Sequence, residues 1–228
     1  MDQKKKELME KLFKRLPEVK LNMKDTALLV IDMQYVDACR HHGMGAKADE
    51  LGLEKELDYY FTRVEKIVTP NIQKLLQLFR QKGGEILYAR IESLTQNGRD
   101  RSLPHKMLGV GAEPNSREGE ILEPLKPLED EIVLSKTASG VFNSTNIDYI
   151  LRNLGINKLI MTGVLTNECV ETACRNAADR SYEVIMVEDA CAALTEELHQ
   201  ASIKTLDGVY AQIQKTDVLM EKIKEVSE

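Results

Sequence analysis

The sequence predicts an α/β fold of three layers, a mostly parallel sheet of about six strands with helices on both faces, and three observations lead to it. Short aliphatic runs alternate with helical patterns along the chain, as βαβ units do around a parallel sheet. The strongest run, Ala27 to Ile31, is apolar at every position, which suits a strand buried on both faces. With 228 residues, 43% of them hydrophobic, the chain can bury the core such a sheet needs as one large domain.

The elements follow in order. Residues 1–23 predict a helical arm: Leu8, Leu12, Phe13 and Leu16 form one apolar stripe among Lys and Glu, ending before Pro17, fit to dock on its own domain or a neighbouring subunit. Residues 24–228 carry the domain. After the first strand, Val64, Ile67, Val68, Ile72, Leu75, Leu76 and Phe79 predict a helix over about 57–81, closed by Gly83-Gly84. Glu85 to Ile91 reads as the second strand and Glu131 to Leu134 as the third. A helix over 144–154 stops at Gly155, and Lys158 to Thr162 is the fourth strand. Helix 168–180, strand 183–187, helix 195–206 and strand 209–213 complete the series. The stretch between Glu92 and Asp130 is rich in Gly and Pro with little periodicity, and loops of this length in compact domains commonly cover a site or meet another subunit.

Charge and composition narrow the function. A net charge of −6, from 31 basic and 37 acidic residues, with no sustained basic block beyond the first twenty positions, argues against a nucleic-acid partner. No apolar run approaches the roughly 20 residues that cross a bilayer, and Lys4 to Lys6 are not followed by a leader-like apolar core, so no membrane partner and a cytoplasmic location are expected. Cys39, Cys169, Cys174 and Cys191 form no CxxC pair and suit a reducing compartment.

Ligands of open parallel sheets bind beyond the carboxyl ends of the strands. Asp32, Lys136 and the segment Gly163 to Cys169 all follow predicted strands at that end, so a carboxylate, an ammonium and a thiol can converge on one crevice. Near a helix start and beside an ammonium, the Cys169 thiol is expected to have a lowered pKa, with Asp32 as its proton acceptor. Backbone N–H groups around Val164, Leu165 and Cys169 are the expected donors to an oxyanion. Each residue taken singly also fits a structural role, Cys169 as a small core residue and Asp32 as a cap or ion-pair partner.

The three segments together resemble the isochorismatase-like cysteine hydrolases. Ala27-Leu28-Leu29-Val30-Ile31-Asp32-Met33-Gln34 is similar to the family's opening strand with its catalytic Asp. Val133-Leu134-Ser135-Lys136-Thr137, followed by Phe142, is similar to the segment bearing its lysine, and Gly163-Val164-Leu165-Thr166-Asn167-Glu168-Cys169 to its nucleophile turn. The resemblance spans residues 24–213. It implies a Rossmann-like, six-stranded parallel sheet, a catalytic Asp32–Lys136–Cys169 triad, a cis bond between Val164 and Leu165, and assembly as a homotetramer.

Within that family Cys169 favours an amidase over the vinyl ether hydrolases, which lack the cysteine. His41, His42, His105 and His199 form no Asp-x-His pair of the nicotinamidase type, so neither metal nor cofactor is expected. Arg90 to Ser102, with the run from Lys136-Thr137 to Asp148, resembles the branch containing biuret hydrolases and ureidoacrylate amidohydrolases. A small amide or ureide is the expected substrate, biuret-like first and carboxylated second. Glu92, Asn167, Gln212 and Gln214 are the candidate hydrogen-bonding contacts, and Arg99 or Arg101 the candidate partner of a substrate carboxylate. Two rival readings stay open: a non-amidase hydrolase on the same scaffold, which would survive loss of the thiol, and a binding protein without turnover.

Overall fold

A computed structural model describes residues 11–12, 14–109 and 111–226. Strand β1 is Thr26–Ile31, its six residues all buried because both faces are covered. Helices α1 (Tyr35–Ala38) and α2 (Gly43–Leu51) follow it, then α3 (Asp58–Arg63), a π-turn (Val64–Val68) and α4 (Thr69–Lys82) in unbroken succession. Strand β2 is Glu85–Ile91, and α5 (Leu103–Met107) lies between it and β3 (Ile132–Lys136). Next come α6 (Val141–Ser144), α7 (Ile147–Asn153), β4 (Lys158–Val164), a second π-turn (Thr166–Val170), α8 (Glu171–Asp179) and β5 (Glu183–Ala192). The chain closes with α9 (Glu196–Leu206), β6 (Gln212–Gln214) and α10 (Thr216–Glu225).

The strands form one parallel sheet in the order β3-β2-β1-β4-β5-β6. This is a doubly wound Rossmann-like arrangement, and strand order reverses between β1 and β4, where Ile31 stands opposite Gly163. Side chains alternate along β1: Leu28 and Val30 pack into the core under α4, whereas Ala27, Leu29 and Ile31 join the core on the opposite face with Cys169 and Ala173. Gly163 sits at φ +114°, and a Cβ there would lie 1.9 Å from the Ile31 carbonyl oxygen. No other residue fits, so this glycine lets the nucleophile turn leave the sheet close against β1.

Several boundaries differ from the sequence expectation, each for a physical reason. Strand β3 runs through Lys136, and β5 continues to Ala192 past a register shift opposite Met161 and Gly163. Strand β6 is only three residues long, because Gly208 turns the chain at φ +73° and its N–H donates to Ala211 O, removing Val209 from the ladder. Helix α10, not anticipated, buries Leu219 and Ile223 against the α4 side of the core. The stretch between Glu92 and Asp130 is ordered by its own bonds, with Ser93 Oγ donating to Ala112 O and Asp100 accepting from Leu94 and Thr95.

The N-terminal arm departs most. Leu8 and Phe13 lie outside the described residues, Lys11 and Leu12 are helical, and residues 14–20 are not. From Arg15 the segment is strapped along the β6 edge: Leu16 N donates to Gly208 O, Arg15 pairs with Asp207 at 3.0 Å, and Val19 N donates to Gln212 Oε1. Over residues 14–20 main-chain and side-chain partners across this edge stand where a helix was expected, and Leu16 stays 42% exposed.

Candidate active site

The carboxyl ends of β1, β3 and β4 bring the site together. Asp32, the first residue after β1, has φ +52°, a left-handed conformation that costs a non-glycine residue about 1 kcal/mol or more and is held where surrounding structure fixes it. Its N–H donates to Ala89 O, and Gln34 clamps the adjoining strand end, donating to Ile91 O and Glu118 O while accepting from Ile91 N. Lys136 is the last residue of β3, two strands away, and its four-carbon stem crosses the end of β2 to reach the crevice. Cys169 is the fourth residue of the π-turn after β4, and the Val164–Leu165 peptide ahead of it is cis.

Lys136 Nζ lies 2.9 Å from Asp32 Oδ2, 3.4 Å from Cys169 Sγ and 3.2 Å from Ala138 O, to which it donates. All three side chains are buried, Lys136 completely. The ion pair is close but off the hydrogen-bonding direction, so both Asp32 oxygens are left without an aligned donor. A buried carboxylate in that condition is costly unless something else uses it.

Burial sets the proton affinities. It pushes the Asp32 carboxyl above its ordinary range, and Lys136 and the neighbouring thiol only partly oppose it. Burial alone would lower Lys136, but Asp32 and Cys169 outweigh it and the ammonium is held more firmly than usual. The Cys169 thiol is raised well above its ordinary value by burial and then by the Asp32 charge, against the pull of Lys136. This corrects the expectation of a lowered thiol pKa. Cys169 lies past the first residues of its helix, where the helix-end charge fades, and has almost no solvent contact. Burial therefore favours the thiol form of Cys169, with Asp32 the neighbouring group able to exchange its proton.

The other predicted contacts divide. Glu92 is taken up by structure: Oε2 accepts from Arg90 Nη2 at 2.8 Å and Ser135 Oγ at 2.6 Å, and Oε1 from Asn115 N at 3.1 Å. Gln212 is bonded at both ends of its amide to the N-terminal segment, to Val19 and Pro17, and Gln214 lines a groove with Leu16, Glu18 and Lys222. Both stand on β6, three strands from β1, so neither meets the triad. Arg99 is exposed and bonded to Asn97. Arg101 turns its guanidinium to Ala112 O, in space that Gly111 leaves open. Asn167, two residues before Cys169, keeps a buried Oδ1 without a partner.

Two features here are not legible in the sequence. Asp37, on α1, has a buried Oδ2 without a partner, and its carboxyl is pushed up to about 8 by burial and then by the charge of Asp32. The second is a relay behind the nucleophile turn. Arg63 Nη2 lies 2.9 Å from His199 Nε2, and His199 Nδ1 lies 2.8 Å from Thr166 Oγ1. An arginine only donates, so Nε2 accepts and Nδ1–H faces Thr166, a neutral tautomer consistent with a His199 pKa lowered to about 4 by burial and Arg63. Among the described residues no three His, Cys, Asp or Glu gather as metal ligands would. Among those residues no helix is long and apolar enough to cross a membrane.

A doubly wound parallel sheet with a thiol, an ammonium and a carboxylate packed together at its switch point defines the class of α/β cysteine hydrolases. The isochorismatase domain profile matches residues 26–218, and the chain belongs to the isochorismatase family of hydrolases. It is 31% identical over 194 residues to a ureidoacrylate amidohydrolase, RutB, of Variovorax paradoxus, covering 81% of this chain and 73% of that protein. Among solved structures it is similar to a cysteine hydrolase from Pseudomonas syringae pv. phaseolicola, with a TM-score of 0.76 and 26% identity over 92% of this chain and 98% of the other. An N-carbamoylsarcosine amidase from Thermoplasma acidophilum matches with a TM-score of 0.65 and 25% identity, covering 85% of this chain and 97% of that one.

Proposed function

We propose that this hydrolase is a cysteine-dependent amidohydrolase cleaving a C–N bond of a small, biuret-like ureide and releasing ammonia. The observation that carries the reading is the contact of Lys136 Nζ with both Cys169 Sγ and Asp32 Oδ2 in a crevice almost without solvent. Relatives acting on ureidoacrylate and N-carbamoylsarcosine support the bond type.

In the proposed reaction Asp32 accepts the Cys169 proton as sulfur attacks a carbamoyl carbon. Lys136 stabilises the negative charge on sulfur, and backbone N–H groups of Leu165 and Cys169 receive the charge on the carbonyl oxygen. Burial raises the proton affinity of both partners, so the proton passes between two groups shifted in the same direction. Asp32 then returns the proton to the departing nitrogen, ammonia leaves, and a thioester-type intermediate remains on Cys169. Water that has given a proton to Asp32 attacks the intermediate, and the proton goes back to the sulfur. No metal is required in this scheme, and homotetramer assembly belongs to the same proposal.

A carboxylated ureide is the second reading, favoured by the likeness to the Variovorax enzyme. Neither Arg99 nor Arg101 offers its guanidinium to the triad, which ranks this substrate behind the uncharged ones. The experiment is ammonia release by metal-stripped protein from biuret, triuret, ureidoacrylate, N-carbamoyl amino acids and nicotinamide, with Cys169→Ala in parallel. Turnover of a ureide that vanishes in the variant is expected. Turnover of nicotinamide alone, or activity without the thiol, overturns the proposal.

A further inference from the structure

The nucleophile turn is short, and its first residue is tied from behind. Thr166 opens the π-turn that ends one residue past Cys169, and it is fully buried. Its carbonyl accepts from Glu171 N, and Leu165 O accepts from Glu168 N and Val170 N, so these bonds stay within the turn and its helix. The Thr166 hydroxyl reaches outside, to His199 Nδ1 on α9 at 2.8 Å. A threonine can satisfy its hydroxyl on the preceding turn of chain, as Thr145 does by donating to Val141 O. Thr166 instead meets a side chain from another element.

That side chain is itself held at every point. His199 is 1% exposed, and its ring is engaged at both nitrogens. Arg63 Nη2, 2.9 Å from Nε2, can only donate, so Nε2 carries the lone pair and Nδ1 the proton. Arg63 is anchored in turn on β5, its Nε donating to Cys191 O at 3.0 Å and its Nη2 to Glu188 O at 3.1 Å. The His199 main chain donates to Thr195 O, and Thr195 Oγ1 caps α9 by accepting from Leu198 N. Burial and then the Arg63 charge lower the ring to about 4, so the sense of both bonds holds at neutral pH.

We propose that His199 is a positioning residue for the reaction: by donating from Nδ1 to Thr166 Oγ1 it fixes the start of the nucleophile turn. With the turn it fixes Cys169 Sγ and the Leu165 and Cys169 N–H groups against the substrate carbonyl. Arg63 selects the tautomer that makes this donation possible. The inference rests on the ureide amidohydrolase reading for the chemistry it serves. Groups that hold a reacting atom in place act on the rate more than on binding, and a misplacement of about 1 Å costs about 10²-fold.

Thr166→Val and Thr166→Ser separate this role from packing. Valine keeps the shape and loses the acceptor, whereas serine keeps the acceptor and loses a methyl group. Kinetics are taken on whichever amide named above the wild type hydrolyses fastest, with rates per folded molecule. Thr166→Val is expected to lower kcat about 10- to 100-fold with KM within about twofold, and Thr166→Ser to recover most of kcat. His199→Leu is expected to match Thr166→Val, and His199→Asn, whose amide can still donate to the hydroxyl, to fall between it and wild type. Wild-type kcat in Thr166→Val, a serine variant slower than the valine one, or a loss confined to KM overturns the inference. A second measurement needs no substrate and no variant that folds poorly. Nitrogen NMR of labelled histidine rings is expected to show His199 as the neutral Nδ1–H tautomer near neutral pH, and the Nε2–H tautomer or an imidazolium overturns the inference. If no ureide turns over, the ureide reading fails and the tautomer still decides this one. A ureide hydrolysed equally by wild type and Thr166→Val leaves that reading standing and this one refuted.

Discussion

Glu92 and Asp32 occupy equivalent places, each one residue beyond neighbouring parallel strands, each buried, each paired with a cation. They differ in how their oxygens are used. Glu92 holds three donors and fastens β2, β3 and the loop near Asn115, whereas Asp32 has an off-axis ammonium and a thiol. Position at the ligand-binding end of a strand is therefore shared by structural and chemical carboxylates. The use made of their hydrogen-bonding capacity separates these two carboxylates: the donors on Glu92 belong to the fold, and the groups beside Asp32 are the ammonium and the thiol of the site.

The sharpest way to break this comparison is to remove the chemistry from each side. Cys169→Ala is expected to lower kcat by at least about 10⁴-fold, since groups acting as one unit fail together. Asp32→Asn should cost about 10²–10⁴-fold in kcat, as loss of a positioned proton acceptor does. It also leaves the buried Lys136 ammonium without its ion-pair partner, so its kcat is read per folded molecule. Glu92→Gln is expected to cost about 1–3 kcal/mol of stability by leaving donors unpaired, with kcat per folded molecule near wild type. Ammonia release and thermal melting on the same preparations check all three, and a Glu92→Gln protein that is stable but inactive would reverse the assignment.

Stability against pH gives a smaller effect with a definite sign. Asp37 is raised from 3.8 to about 8 in the folded state, so between those values the native protein holds a proton the unfolded chain has released. Its stabilising contribution is full below the lower value and lost as pH rises through the higher. Asp37→Asn is therefore expected to melt above wild type at pH 9 and close to it at pH 4, read by scanning calorimetry. His105 and His199 are lowered from 6.5 to about 4, so their contribution is full above 6.5 and lost as pH falls through about 4. Asp37→Asn leaves that acid limb in place. The smallest expected change is at Arg99, where exposed Arg99→Gln should stay within about 0.5 kcal/mol in stability and leave KM for biuret unchanged.

The parts of this molecule legible in the sequence are those set by local pattern. The continuous apolar run of β1 and the amphipathic helix ending at Gly83 mark their elements, and Asp32, Lys136 and Cys169 stand at strand ends that the pattern marks. Strand order is not local. Gln212 and Gln214 follow a strand as Asp32 does, but β6 lies at the far edge of the sheet, beside the N-terminal segment. Burial is not local either: the thiol expected to be acidified is raised, because desolvation outweighs the one ammonium beside it. Asp37 escapes notice because a four-residue helix has too little periodicity to fix which way it faces.

Intact-mass analysis of enzyme quenched during turnover of a ureide tests the central claim most directly. The account predicts an acyl adduct located on the peptide containing Cys169, formed and lost at rates consistent with kcat, and absent from Cys169→Ala along with turnover. Turnover at the wild-type rate by Cys169→Ala, or an adduct on another residue, would contradict it.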